Sequence, residues 1–287
     1  MFVGRFFLNL KEYSLWVNIL MTDTNSEKEN VDADQVENVE NDLSSESVTS
    51  KQRSIRSRGI YLLPNLFTTA SLFSGFYAIV AAMNGHFDNA AIAIFISMIL
   101  DGLDGRVARM TNTQSEFGAE YDSLVDMVAF GVAPALVAFT MSLQTLGNIG
   151  WIVTFIYVAG AALRLARFNT QIDIVDKKYF IGLPSPSAAA IVAGYVWFVH
   201  DLDQTGWLNL LTMIVVAGAG VLMVSNVKYH SFKELDMKRR VPFTAILIMV
   251  LVFAVIALEP TIILLAVFAL YTLSGPFNAL LRKGRGE

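Results

Sequence analysis

The chain has 287 residues, 54% of them hydrophobic and 16% charged, with a formal net charge of −4 and no cysteine. The absent cysteine excludes disulfides and thiolate chemistry. The net negative charge offers no footprint for nucleic acid, which is not expected among the partners.

At the N-terminus, Phe2, Phe6, Tyr13, Trp16, Val17 and Leu20 approximate one helical face, while Arg5, Lys11 and Glu12 interrupt any signal-peptide core. Residues 1–20 therefore read either as an interfacial helix or as a mis-assigned start, with Met21 the first residue. Residues 21–50 hold nine Asp/Glu against Lys28 alone. With few apolar residues among them, 21–58 reads as a disordered cytoplasmic tail, acidic and then basic. A membrane domain follows over 59–285.

Apolar runs long enough to span a bilayer recur from there on. Eight are expected, at about 60–83, 88–109, 119–142, 149–168, 184–200, 208–225, 242–258 and 261–281. The expected fold is all-α, a polytopic bundle of about eight transmembrane spans. Basic residues fall at alternate connections: Lys51, Arg53, Arg56 and Arg58 before the first span, Arg106 and Arg109 closing the second, and Arg164, Arg167, Lys177 and Lys178 around the end of the fourth. Lys228, Lys233, Lys238, Arg239 and Arg240 follow the sixth span, and Arg282, Lys283 and Arg285 the eighth. The connections at 84–88, 144–148, 200–206 and 258–260 contain no Lys or Arg. By the positive-inside rule both termini are cytoplasmic. His86, His200 and His230 lie in loops or at span ends and read as surface residues.

Within this apolar chain, Asp101, Asp104, Gly105, Ala108 and Arg109 fall at i, i+3, i+4, i+7 and i+8, one stripe of a helix. Gly118, Asp122 and Asp126 fall at i, i+4 and i+8, a second stripe. Charged side chains at membrane depth cost about 2.5–3.5 kcal/mol each on insertion scales, and persist where they pair, face a cavity or bind a cation. One arginine cannot neutralise four aspartates at low dielectric. Two facing stripes would gather four carboxylates, a donor set suited to hard cations such as Mg²⁺ or Mn²⁺. Two such cations would offset the carboxylate repulsion and clamp a diphosphate. Gly105, Ala108 and Gly118 would let a bulky ligand approach. The site opens toward the cytoplasmic side, because the second span ends there and the third begins there.

Two further blocks flank these stripes. Pro64 suits the first turn of a helix, with Asn65 and Thr68 at i and i+3 able to bond a ligand. Later comes Arg164-Leu-Ala-Arg167-Phe-Asn169, then Gly182-Leu-Pro184-Ser185-Pro186-Ser187. Arg164 and Arg167 suit either positive-inside anchoring or the binding of a lipid phosphate or an acceptor carboxylate. Ser185 and Ser187, at the start of the fifth span, would add to an anion site.

The pattern D-x-x-D-G-x-x-A-R-x8-G-x3-D-x3-D resembles the signature of the CDP-alcohol phosphatidyltransferase family, with every signature position matched. Arg164–Asn169 with Gly182–Ala189 resembles its phosphatidylserine synthase branch; the resemblance covers about residues 59–240. It implies transfer of a phosphatidyl group from CDP-diacylglycerol to L-serine, with CMP released. It implies Asp101, Asp104, Asp122 and Asp126 as ligands of two divalent cations, Mg²⁺ or Mn²⁺, with Asp126 also the general base. Asn65, Thr68, Gly105, Ala108, Arg109, Ser115 and Gly118 would bind CDP-diacylglycerol. Arg164, Arg167, Asn169, Ser185 and Ser187 would bind the acceptor or its phosphate. A homodimer in the bacterial cytoplasmic membrane, with its site facing the cytoplasm, is also implied. The aspartates handle only the shared donor, so glycerol 3-phosphate, inositol phosphate or choline remain alternative acceptors. A divalent-cation transporter is a remote alternative, opposed by the clustering of the acids near one face.

Overall fold

An apolar segment in lipid must satisfy its backbone polar groups internally, and a helix does this within one run of chain. The computed structural model of the chain describes residues 63–171, 179–202, 205–230 and 243–284. Within them each of the eight apolar runs is helical: α1 Leu63–Met83, α2 Phe87–Thr111, α3 Glu116–Met141, α4 Asn148–Gln171, α5 Ser185–Val199, α6 Gly206–Val224, α7 Phe243–Leu258 and α8 Pro260–Gly284. Five of them, α1, α3, α4, α6 and α8, are long and apolar enough to cross a membrane. α5 is a shorter apolar helix. α2 has the length, but Asp101, Asp104, Arg106 and Arg109 crowd its C-terminal half. The proposed tail over 21–58, the segment 1–20, Lys177, Lys178 and most of 228–240 lie outside the described residues.

The helical class needs one addition. β1 (Tyr179–Ile181) and β2 (Lys228–His230) form an antiparallel ribbon, in the register Tyr179 to His230, Phe180 to Tyr229 and Ile181 to Lys228. Three-residue strands are too short to carry a period of two, so hydropathy offers no sign of them. Gly182 ends β1 with φ +81°, and a Cβ there would run into the carbonyl oxygen of Met223. Its amide donates to Val227 O at 2.8 Å, and that of Leu183 to Leu222 O at 3.0 Å. The ribbon thereby fastens the start of α5 to the end of α6.

Small residues set the helix spacing. A Cβ on Gly160 would lie 2.5 Å from Gly220 O, and one on Gly220 2.8 Å from Tyr157 Cα, so α4 and α6 meet backbone to backbone. α5 is the inner helix: Ala188, Ala189, Ala190, Val192, Ala193 and Val196 are all fully buried. α1 and α2 are laced by buried hydroxyls. Ser71 and Ser97 lie 2.7 Å apart through their Oγ atoms, and each donates to the other's carbonyl at 3.1 and 3.0 Å.

α3 is not a regular helix. Its first part, Glu116–Asp126, is α-helical, Met127–Val132 is a π-helical turn, and Ala133–Met141 is α-helical again. His200 departs from its expected surface position. Its side chain is 13% exposed and its Nε2 lies 3.0 Å from Asp88 Oδ1, so the C-terminus of α5 meets an acid in the first turn of α2. His86 is exposed, as expected.

Candidate active site

The two carboxylate stripes meet because the chain reverses sharply between α2 and α3. Asn112 ends α2 in the left-handed conformation, φ 52° and ψ 39°. Ser115 then starts α3, its Oγ accepting from the Gly118 amide at 3.0 Å. Asp101 from α2 and Asp122 and Asp126 from α3 converge, each offering a carboxylate oxygen within 4.8 Å of the others.

Asp104 is not in this triad. It sits one turn further along α2, 5% exposed, where the Thr68 hydroxyl of α1 donates to its Oδ2 at 2.8 Å. Thr68 also reaches Pro64 O at 3.1 Å, the bond typical of a hydroxyl in the first turns of a helix. The expected set of four carboxylates is thus three together and one beside them, tied to α1.

A cavity of about 290 Å³ opens next to the carboxylates. All seven residues expected to bind the donor line it: Asn65, Thr68, Gly105, Ala108, Arg109, Ser115 and Gly118, together with Asp104 and Asp122. Pro64, read from the sequence only as a helix start, completes the lining with Thr113, Gln114 and Ala119, which the sequence did not single out. Their types carry no chemical signal, and only the turn between α2 and α3 brings Thr113 and Gln114 to the mouth. A Cβ on Gly118 would sit 3.1 Å from Ser115 Oγ and 3.5 Å from Asn65 Oδ1. Glycine therefore lets α1 close against the start of α3.

The triad suits a hard cation. Four buried side-chain atoms lack a hydrogen-bond partner among the described residues: Asp122 Oδ1, Asp126 Oδ1, Arg164 Nε and Thr272 Oγ1. Two of the four are triad oxygens. Packing carboxylates together while leaving their oxygens unbonded is costly, unless a cation takes the free lone pairs.

The block read as an acceptor site divides into four parts. Arg164 on α4 is 9% exposed and donates through Nη1 to Ser185 Oγ at 2.8 Å, with Ser185 itself 1% exposed. Arg164 also interacts electrostatically with Asp126, Tyr271 and Tyr157. This arginine is therefore within electrostatic reach of Asp126, and its Nε has no hydrogen-bond partner among the described residues. Arg167 goes elsewhere: its Nη2 donates to Val224 O at 3.0 Å, and its Nη1 lies 3.5 Å from Ser225 O and 3.4 Å from Asn226 Oδ1. It meets the last carbonyls of α6, where a cation suits the helix dipole. Asn169 donates from Nδ2 to Ser123 Oγ at 3.0 Å, bracing α4 against α3 beside Asp122. Ser187 is half-buried near the start of α5.

The profile of the CDP-alcohol phosphatidyltransferase family matches residues 61–224. A CDP-diacylglycerol–serine O-phosphatidyltransferase of Helicobacter pylori is 41% identical over 215 residues, covering 74% of this chain and 90% of the relative. The enzyme of the same name from Mycobacterium leprae is 31% identical over 237 residues, covering 80% of this chain and 78% of its own. That of Methanocaldococcus jannaschii is 35% identical over 175 residues, covering 61% and 77%.

Proposed function

The chain belongs to the CDP-alcohol phosphatidyltransferase family, and from that premise we propose that it transfers the phosphatidyl group of CDP-diacylglycerol to L-serine, releasing CMP. The relatives' names support serine as the acceptor. The observation that carries the reading is the carboxylate triad with the buried Arg164–Ser185 pair in electrostatic reach of its Asp126.

CDP-diacylglycerol lies with its acyl chains in the bilayer and its nucleotide in the cavity between α1, α2 and α3. Gly105, Ala108 and Gly118 make room for it. Asn65, Thr68 and Ser115 supply hydrogen bonds, and Arg109 meets phosphate oxygens as a bidentate cation. Asp101, Asp104, Asp122 and Asp126 would hold two divalent cations, Mg²⁺ or Mn²⁺, which would supply positive charge to the diphosphate. Thr68 fixes the carboxylate of Asp104.

On the other side of the triad, Arg164 receives the serine carboxylate, assisted by Ser185 and Ser187. This orients the serine hydroxyl toward Asp126, which takes its proton as the oxygen attacks the lipid-linked phosphorus. The new P–O bond forms, the bond to CMP breaks, and phosphatidylserine remains in the bilayer. Asn169 keeps α3 in register through Ser123. Arg167 reaches the acceptor side only through the position it gives α6. The site opens to the cytoplasm, where CDP-linked donors and serine are available, and the enzyme resides in a bacterial cytoplasmic membrane as a homodimer.

The purified protein, given CDP-diacylglycerol and Mn²⁺ or Mg²⁺, tests this directly. Serine, glycerol 3-phosphate, inositol phosphate and choline are supplied in turn, and lipid product is followed. Phosphatidylserine should form with serine alone. Product from one of the other acceptors and none from serine would overturn the serine assignment.

A further inference from the structure

We propose that Tyr157 is a positioning residue for Asp126, acting through the π-helical turn that begins at the next residue. The proposal deepens the reading of the carboxylate site given above and rests on it.

If α3 continued as a regular α-helix, the stripe Gly118, Asp122, Asp126 would run on to Phe130 at the next i+4. It does not. The helix widens over Met127–Val132, with the amide of Ala133 bonding back to Val128 O, an i→i+5 step. The added residue rotates everything beyond the turn. Asp126 is thus the last carboxylate before the turn, and Ala129 and Phe130 within it are both fully buried, Ala129 continuing the row of the buried Val125.

Such a turn interrupts the regular backbone ladder and must be held from outside. Of the helices packed on it among the described residues, α1 and α4 make close contacts. From α1, Gly75 presses against Ala129, where an added Cβ would lie 2.9 Å from Ala129 Cα. From α4, the fully buried Tyr157 donates its hydroxyl to Phe130 O at 3.0 Å. One turn further along α4, Ala161 packs on Gly131, where an added Cβ would lie 3.1 Å away.

The next position of that same α4 stripe is Arg164, so Tyr157, Ala161 and Arg164 fall at i, i+4 and i+7. One face of α4 therefore carries the cation in electrostatic reach of Asp126 and the hydroxyl that sets the backbone beneath it. Tyr157 needs no contact with either substrate. Its hydroxyl fixes where α3 widens, and hence the direction of the Asp126 side chain.

The test compares Tyr157→Phe with Tyr195→Phe in the full-length protein. Tyr195 is a matched control: buried, its hydroxyl bonds Leu208 O at 3.3 Å and Thr212 Oγ1 at 3.1 Å, between α5 and α6. Two readouts are taken. Steady-state kinetics separate kcat from the KM for CDP-diacylglycerol, and Mn²⁺ affinity is measured without substrate by paramagnetic resonance. Tyr157→Phe should lower kcat and weaken Mn²⁺ binding by roughly 10–100-fold, the range seen when a group supporting a metal ligand is removed. With Mn²⁺ saturating each variant, the KM for the donor should be unchanged, and Tyr195→Phe should leave kcat and Mn²⁺ affinity at wild-type values.

Gly131→Ala disturbs the same turn through Ala161 and should give the same split, so it decides the matter where Tyr157→Phe does not fold. Wild-type kcat and wild-type Mn²⁺ affinity in the folded α3 or α4 variant would overturn the proposal, as would an equal loss of kcat in Tyr195→Phe. The Mn²⁺ measurement separates this idea from the serine assignment. A wild-type protein inactive with serine would refute the assignment, while a wild-type–Tyr157→Phe difference in Mn²⁺ affinity would still stand for the positioning role.

Discussion

Thr68 supports the Asp104 carboxylate, its hydroxyl donating to Asp104 Oδ2 at 2.8 Å inside the bundle. Thr68→Val keeps the shape and removes the donor. A hydrogen bond to a charged group contributes about 1.5–3 kcal/mol, and each 1.4 kcal/mol is about tenfold in rate. The variant leaves a buried carboxylate without this donor, so it should lose on the order of 10–100-fold in kcat/KM for CDP-diacylglycerol and also unfold at a lower temperature than wild type. At this scale the sequence was informative because aspartates are expensive in lipid, so their spacing had to encode a site. Arg164 and Arg167 were harder to separate. They share a stripe and a charge, and only the fold decides that the first lies within electrostatic reach of Asp126 while the second is spent on the carbonyls of Val224 and Ser225.

Helix contacts turn on glycine at two facing positions of α4 and α6. Gly220→Val would drive a branched side chain against Tyr157 Cα, which a Cβ alone already approaches to 2.8 Å. Overpacking of this kind costs about 1–3 kcal/mol, and here it pushes on backbone that cannot swing away. The variant should melt earlier than wild type in detergent, and the measurement is its unfolding midpoint beside that of Gly218→Val on the same helix, where a Cβ meets nothing. The eight helices were legible from hydropathy because each run of apolar residues is longer than a soluble core needs. The irregularities were not. The π turn at Met127–Val132 lies in a uniformly apolar stretch with no periodic mark, and the ribbon of β1 and β2 joins segments far apart in sequence through three residues each. Both bear on the site, the first by following directly on Asp126 and the second by holding Ser185 beneath Arg164.

For the whole molecule, the proposed orientation follows from charge: Lys and Arg gather at alternate connections and are missing from the others. The chain has no cysteine, so single cysteines report sidedness without background. His86→Cys, between α1 and α2, should react with an impermeant maleimide in intact cells. Gln114→Cys, between α2 and α3 at the cavity mouth, should react only after the membrane is opened. Labelling of Gln114→Cys from outside would invert the topology and expose the site to the wrong compartment for a CDP-linked donor.

In the proposed mechanism the carboxylates of α2 and α3 would hold the donor through divalent cations, and Asp126 then takes a proton from serine. Turnover and donor binding of Asp126→Asn, measured on the same preparation with Mn²⁺ present, test it most directly. Serine-dependent CMP release should be abolished while CDP-diacylglycerol still binds with nearly wild-type affinity. Serine-dependent CMP release at the wild-type rate would contradict it.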